Sequence, residues 1–170
     1  MHSGAASSGP SWGAFAAAAP DLAAHAAHAA QALYRGEAIA GAFLATVSRA
    51  GTPRLHPVAP VLAHDELWMF IVEMSPKYQD LMTNGRFALH ALPPAGGGEE
   101  LAVQGKAYHV DDAATRARVV AATGGAQGVH AFERLFRCAL TTVLHTRWDG
   151  WGTANAWPSH EKWRAGERVG

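Results

Sequence analysis

Two short segments carry the side chains best suited to binding an anion. The first, residues 52–60, contains Arg54 and three prolines, which lack the N–H groups that the interior of a sheet requires. The second, Ser75-Pro76-Lys77, places a hydroxyl, the amides of a predicted helix N-terminus and an ammonium within one turn, which suits a phosphate. If the strands carrying these segments are neighbours, Arg54 and Lys77 converge on one anion beside a flat ring. A proline-protected edge strand and an ordinary helix cap explain the same residues without a ligand.

Other reactive side chains have weaker claims to a function. His25 and His28 share a helix face with Asp21, but a solvated polar face explains them better than a metal site, so no metal is expected. His56 lies within the suspected anion site and is a candidate proton donor, although most strand histidines only form hydrogen bonds. Cys138 has no neighbouring Cys or His, and we expect it to be a packing residue.

The hydrophobic pattern predicts a mainly β, α+β domain built as a small antiparallel barrel with helical crossovers. No glycine-rich phosphate loop joins a strand to a helix, which disfavours a doubly wound sheet. We expect a flexible tail over 1–19 and one domain over 20–170. Within that domain we expect strands over 42–48, 54–62, 67–72, 87–92, 101–110, 139–147 and 151–157, helices over 21–36, 76–84 and 111–122, and a helical turn near 132–136.

Composition narrows the class of protein. The 170 residues include 14 basic and 14 acidic side chains, so the formal net charge is zero, and 49% of the residues are hydrophobic. This balance argues against a nucleic-acid or membrane-surface partner. The alanine-rich stretch over 12–33 is interrupted by Pro20, Asp21 and two histidines, so we predict neither a signal peptide nor a membrane span. A single cysteine excludes an intramolecular disulfide and favours a cytoplasmic location.

The order and spacing of these motifs resemble the pyridoxamine 5'-phosphate oxidase-like FMN-binding split-barrel family. The resemblance covers approximately residues 38–111, and the later elements fit loosely. The segments that carry it are Ala42–Val47, Gly51–Val58, Leu67–Phe70, Ser75–Lys77, Asn84–His90 and Val103–Ala107, the last with a bend at Gly105.

The resemblance implies a six- to seven-stranded antiparallel split barrel with flanking helices, assembled as a homodimer with two FMN sites at the interface. It also implies a flavin-dependent oxidoreductase acting on a small molecule. The phosphate would be held by Arg54, Ser75 and Lys77. The wall of the pocket along the isoalloxazine ring would be formed by Leu55, His56, Pro57 and Val58 and continued by Phe70 and Ile71. Trp157 or Trp151 of the second chain would close the pocket.

Departures from the family pattern limit what the resemblance implies. The true pyridoxamine phosphate oxidases carry basic residues where Ala59 and Pro76 stand here, and they have a C-terminal Arg-x-His that this chain lacks. Synthesis of pyridoxal phosphate is therefore not expected. The weaker phosphate clamp leaves a deazaflavin coenzyme or haem as alternatives to FMN, and a non-catalytic binding or carrier module as the alternative to an enzyme.

Overall fold

A computed structural model describes residues 9–30, 41–91 and 97–167. The helices are α1 (Trp12–Ala18), α2 (Pro20–His25), α3 (Ala27–Ala30), α4 (Pro76–Asn84) and α5 (Ala113–Ala122). The strands are β1 (Ala42–Val47), β2 (Pro53–Val58), β3 (Val61–Ala63), β4 (Glu66–Val72), β5 (Arg86–Ala91), β6 (Glu99–Val110), β7 (Glu133–Asp149) and β8 (Trp157–Arg164). Within these ranges no helix is long and apolar enough to cross a membrane.

The strands form one antiparallel sheet in the order β2-β1-β5-β6-β7-β4-β3, with β8 also pairing with β7. The sheet is not closed, and with its flanking helices it confirms the predicted mainly β split-barrel architecture. The described residues form eight strands rather than six or seven. The predicted strand over 54–62 is divided between β2 and β3, because Ala59 and Pro60 interrupt it.

The longest strands, β6 and β7, form the spine of the sheet. The predicted helical turn near 132–136 is wrong, because Leu135 and Phe136 pair with β4 on one side and β6 on the other. The ladder between β6 and β7 shifts by one residue at Gly105, whose added Cβ would lie 1.9 Å from the Ala139 carbonyl oxygen. Glycine is therefore required at this bulge.

The N-terminal helices cover one side of the barrel core. Ser11 caps α1 by accepting a hydrogen bond from the Ala14 N–H, and Phe15 is fully buried with its ring 5.4 Å from that of Trp163. The prediction of a flexible tail is therefore wrong for residues 12–19, because an aromatic anchor docks this segment. The tail over 1–8 lies outside the described residues, as does the end of the predicted helix over 21–36.

The turn between β7 and β8 is longer than the Asp149-Gly150 signal indicated. Residues 150–156 fold as successive turns, in which Gly150 and Gly152 have φ of 69° and 80°. The hydroxyl of Thr153 donates to the Gly150 carbonyl at 2.7 Å and stabilises the first of these turns. The returning strand consequently begins at Trp157, where the predicted strand over 151–157 was expected to end.

Candidate functional site

Strand β2 lies at one end of the sheet order and, within the described chain, pairs with β1 alone. Its side chains alternate between the two faces of the sheet, as they must in a strand. Arg54, His56 and Val58 are wholly or partly buried, whereas Leu55 is 66% exposed and Pro57 is also exposed. The four side chains predicted to line a ring, Leu55, His56, Pro57 and Val58, therefore do not share one face, and a ligand contacting all four must lie along the open strand edge.

Helix α4 begins at Pro76, and its N-terminal turn supplies the second predicted segment. The Ser75 hydroxyl accepts from the Tyr78 N–H at 3.4 Å and donates to the Val72 carbonyl at 2.6 Å, so it caps the helix. Proline suits the first helical position because the backbone N–H there would have no partner within the helix, and proline has no N–H. Lys77 follows in the same turn, and burial lowers the pKa of its ammonium below the ordinary value.

A buried carboxylate joins the two segments. Arg54 Nη1 donates to both carboxylate oxygens of Asp80, at 2.9 and 3.1 Å, and the Thr46 hydroxyl donates to Asp80 Oδ2 at 2.8 Å. Asp80 is buried, whereas the Arg54 side chain is 38% exposed and can offer its outer nitrogens to a ligand. Asp80 is not among the residues predicted from the sequence, although its position one turn after Lys77 on the same helix face is a signal that could have found it.

His56 completes this group of charged and polar residues. Its Nε2 atom is buried and has no hydrogen-bond partner. Burial lowers the pKa of His56 below 6.5, the charge of Lys77 lowers it further, and Asp80 and Arg54 act in opposite directions. Arg54, His56, Lys77 and Asp80 are named the β2–α4 cluster below. The guanidinium, the ammonium, the carboxylate and the unpartnered nitrogen of this cluster fit a ligand that carries a phosphate and a hydrogen-bonding ring.

The other predicted wall residues lie elsewhere. Ile71 is fully buried in the main core, and Phe70 points to the opposite face of β4, as alternation along the strand requires. A Cβ on Gly128 would lie 2.3 Å from the Phe70 ring, and Arg116 Cζ is 5.5 Å from the ring centroid. The loop that carries Gly128 therefore already covers the aromatic face that was predicted to meet the flavin.

Trp157 is 75% exposed and stands at the far end of β7 from helix α4. The start of β7, at Glu133, pairs with Val72 just before α4, whereas its last residue, Asp149, pairs with Trp157. At about 3.3 Å per residue, roughly 50 Å of strand separates these two ends. Trp157 and the start of α4 are therefore associated with opposite ends of β7.

The helix histidines have specific partners rather than only solvent. His25 Nδ1 lies 2.9 Å from Glu161 Oε1, and His28 Nδ1 lies 3.3 Å from Glu99 Oε2. As the side chains stand, no group of three or more His, Cys, Asp or Glu in the described ranges is arranged to hold a metal ion. Cys138 is free and buried, and burial raises the pKa of its thiol, in keeping with a packing role.

No family model and no curated protein matches the chain, but solved structures do. A heme-binding protein from Mycobacterium smegmatis has a TM-score of 0.59 at 16% identity over 81% of this chain and 57% of its own. HutZ, the heme storage protein from Vibrio cholerae, has a TM-score of 0.52 at 17% identity, covering 62% and 84% of the two chains. An F420 reductase has a TM-score of 0.53 at 20% identity, covering 67% and 94%.

These similarities identify the fold. The chain has the split-barrel fold of the pyridoxamine 5'-phosphate oxidase-like proteins, as the motif order predicted. The likeness extends to proteins named for different ligands, so the fold alone does not select a cofactor. That choice depends on the residues of the site.

Proposed function

We propose that this chain binds FMN through the β2–α4 cluster and acts as a flavin-dependent oxidoreductase on a small molecule. The observation that carries the proposal is the orphaned, buried Nε2 of His56 beside Lys77 and Arg54. A buried nitrogen without a hydrogen-bond partner is costly unless a ligand pairs with it. A ligand with a phosphate and an acceptor-bearing ring satisfies both the nitrogen and the cations.

Each residue of the cluster then has a separate task. Lys77 and the outer nitrogens of Arg54 hold the phosphate, and Ser75 keeps the first turn of α4 in place through its capping bonds. Asp80 orients Arg54, and His56 donates to or accepts from the cofactor. When bound, the flavin supplies the electron or hydride transfer, and the chain binds and orients it. Leu55, Pro57 and Val58 contribute the backbone edge of β2 along which the ring lies.

We also propose that the functional unit is a homodimer. Apolar side chains crowd the outer face of β1 and β2, where Phe43, Val47 and Leu55 are exposed and cross-strand neighbours include Pro53 and Pro57. A contiguous apolar surface of this kind is typical of a subunit interface. In such an assembly the exposed Trp157 of one copy is available to close the site of the other. The same proposal places the protein in the cytoplasm, where its only cysteine stays reduced.

A second candidate is a non-catalytic module that binds haem, or one that binds a deazaflavin coenzyme. His56 favours the haem version, because a neutral imidazole with a free Nε2 is a typical axial ligand. Solved structures with the same fold include two proteins whose names mention heme and one F420 reductase, which supports both haem and a deazaflavin as alternative ligands. The two candidates differ in turnover, since only the enzyme would pass electrons to an acceptor.

The test begins with the visible spectrum of the purified protein and identification of the molecule released by heat. FMN is the expected result, and FMN binding should weaken at least tenfold in Arg54→Ala/Lys77→Ala, while Lys162→Ala, an exposed site on β8, serves as the control. Unchanged affinity in the double variant would refute the site. A haem band would favour the carrier, and a bound flavin that NADH, NADPH and a reduced deazaflavin all fail to reduce would exclude the oxidoreductase.

A further inference from the structure

A second polar cluster lies on the sheet face covered by the N-terminal helices. His145 on β7 is directly opposite Glu161 on β8, and Glu99 on β6 is the cross-strand partner of Arg147, two residues further along β7. Side chains two apart on a strand share a face, so both carboxylates flank His145. None of these residues belongs to the β2–α4 cluster.

The helices add two histidines to this face. His25, at the end of α2, places Nδ1 at 2.9 Å from both carboxylate oxygens of Glu161. His28, on α3, places Nδ1 at 3.3 Å from Glu99 Oε2. When Glu161 accepts the Nδ1–H of His25, the lone pair of His25 is left on Nε2. A carboxylate that fixes the histidine tautomer in this way is a common feature of protein metal sites.

The buried histidine has no comparable partner. His145 is only 4% exposed, and its Nε2 has no hydrogen bond. The carboxylate oxygen Oε2 of Glu99 lies 3.9 Å from His145 Nε2, which is too far for a hydrogen bond. Around Glu99 Oε2 the two histidine nitrogens therefore stand at 3.3 and 3.9 Å. Two ligand atoms of one tetrahedral zinc, each about 2.0–2.1 Å from the ion, are roughly 3.4 Å apart.

A cavity of about 110 Å³ is lined by His25, Glu99, His145, Arg147, Ser159 and Glu161, and His28 lies outside this lining but contacts Glu99. At about 30 Å³ per water, this volume holds an ion with a few waters and is too small for a flavin or a porphyrin. Two carboxylates and one arginine line the cavity, so its net charge is negative when the histidines are neutral. The arginine is 64% exposed and pairs with Asp149 at 3.5 Å, so it can point away from the cavity.

We propose that this cavity is a divalent transition-metal site, with Glu99 and His145 at its centre and His25 and His28 as the remaining ligands. Three imidazoles and one carboxylate suit Zn²⁺ and its neighbours in the first transition row. In this arrangement His25 keeps its Nδ1–H on Glu161 and offers Nε2 to the ion, and the 56% exposed His28 ring turns toward the cavity as the metal binds. The metal then fastens the α2–α3 segment to β6, β7 and β8, independently of any flavin.

The test is titration of the full chain with Zn²⁺ by calorimetry and with Co²⁺ by visible absorption. We expect one ion per chain, intense tetrahedral Co²⁺ bands and a higher Tm with Zn²⁺, because a ligand that binds only the folded state stabilises it. His28→Gln and Glu99→Gln should each weaken Zn²⁺ binding at least tenfold. His64→Asn removes an exposed histidine from a distant turn and should bind like the unmodified chain.

His145→Asn tests the buried ligand, and its far-ultraviolet circular dichroism shows whether the variant is folded. If it does not fold, the surface variants His28→Gln and Glu99→Gln decide the question alone. Absence of a tetrahedral Co²⁺ spectrum, or equal Zn²⁺ affinity in the unmodified chain and these variants, would overturn the proposal. Retention of Zn²⁺ binding in Arg54→Ala/Lys77→Ala is expected, because the two clusters share no residue.

Discussion

Asp80→Asn should change stability and FMN affinity in opposite directions. The carboxylate accepts three hydrogen bonds, two from Arg54 and one from Thr46, in a buried position. An asparagine keeps the shape but offers one accepting oxygen, so the variant loses charge-assisted bonds to Arg54. Hydrogen bonds to charged groups contribute about 1.5–3 kcal/mol and neutral ones about 0.5–1.5. Because Arg54 is 38% exposed, we discount the difference and expect a loss of about 2 kcal/mol in the free energy of unfolding.

The affinity for FMN should rise for an electrostatic reason. A phosphate hydrogen-bonded to the outer side of the Arg54 guanidinium, across from the 2.9 Å bond to Asp80, would stand about 6 Å from that carboxylate. Two unit charges at that distance repel by roughly 0.7 to 2.8 kcal/mol for effective dielectric constants of about 80 to 20. Removing the carboxylate charge should therefore tighten binding about tenfold, which corresponds to roughly 1.4 kcal/mol.

Urea unfolding measures the stability change, and quenching of FMN fluorescence measures the dissociation constant. Asp149→Asn is the matched control, because it removes the same charge from an exposed position at the far end of β7. Weaker FMN binding in Asp80→Asn, comparable with that in Arg54→Ala, would refute the electrostatic reasoning. It would mean that the loss of Arg54 orientation by Asp80 outweighs the relief of repulsion between the carboxylate and the phosphate.

Three further outcomes are expected. Because the folded state lowers the pKa of His56, the unfolded chain binds more protons, and stability should fall as the pH drops below about 6.5. Urea unfolding midpoints at pH 7.5 and 5.5 should differ less in His56→Gln than in the unmodified chain. An equal difference in both would contradict the assignment. Gly105→Ala should destabilise the fold by about 3 kcal/mol or prevent folding, because the alanine Cβ would clash with the Ala139 carbonyl oxygen. A thermal midpoint within about 2 °C of that of the unmodified chain would be inconsistent with the bulge. Cys138 should react with a thiol reagent only after denaturation, because burial shields the thiol and raises its pKa. Fast labelling of the native protein would contradict the buried position of Cys138.

The sequence was most informative where structure depends on neighbouring residues. Ser75 and Pro76 predicted the start of α4, and the structure shows the capping bonds that they form. Alternation along β4 already implied that Phe70 and Ile71 face opposite sides, so their joint assignment to one wall neglected a local signal. The misplaced turn near 132–136 has another origin, since only the pairing of β7 with two neighbours makes that segment extended.

Contacts between distant residues could not be predicted in the same way. Arg54 and Asp80 are 26 residues apart, and His25 and Glu161 are 136 apart. Nothing in either local pattern selects the partner. The β2–α4 cluster was half found because Arg54, His56 and Lys77 lie in recognisable motifs, whereas Asp80 has no motif of its own.

The amino-acid sequence by itself determined a mainly β domain with flanking helices, one edge strand rich in proline and a capped helix beside a lysine. These features follow from side-chain period, backbone freedom and capping, which act over a few residues. The tertiary structure alone decided that Asp80 joins the two anion-binding segments, that Phe70 is covered and that the helix histidines meet Glu99 and Glu161. Strand order and register set those meetings, because they bring together side chains that no local pattern relates.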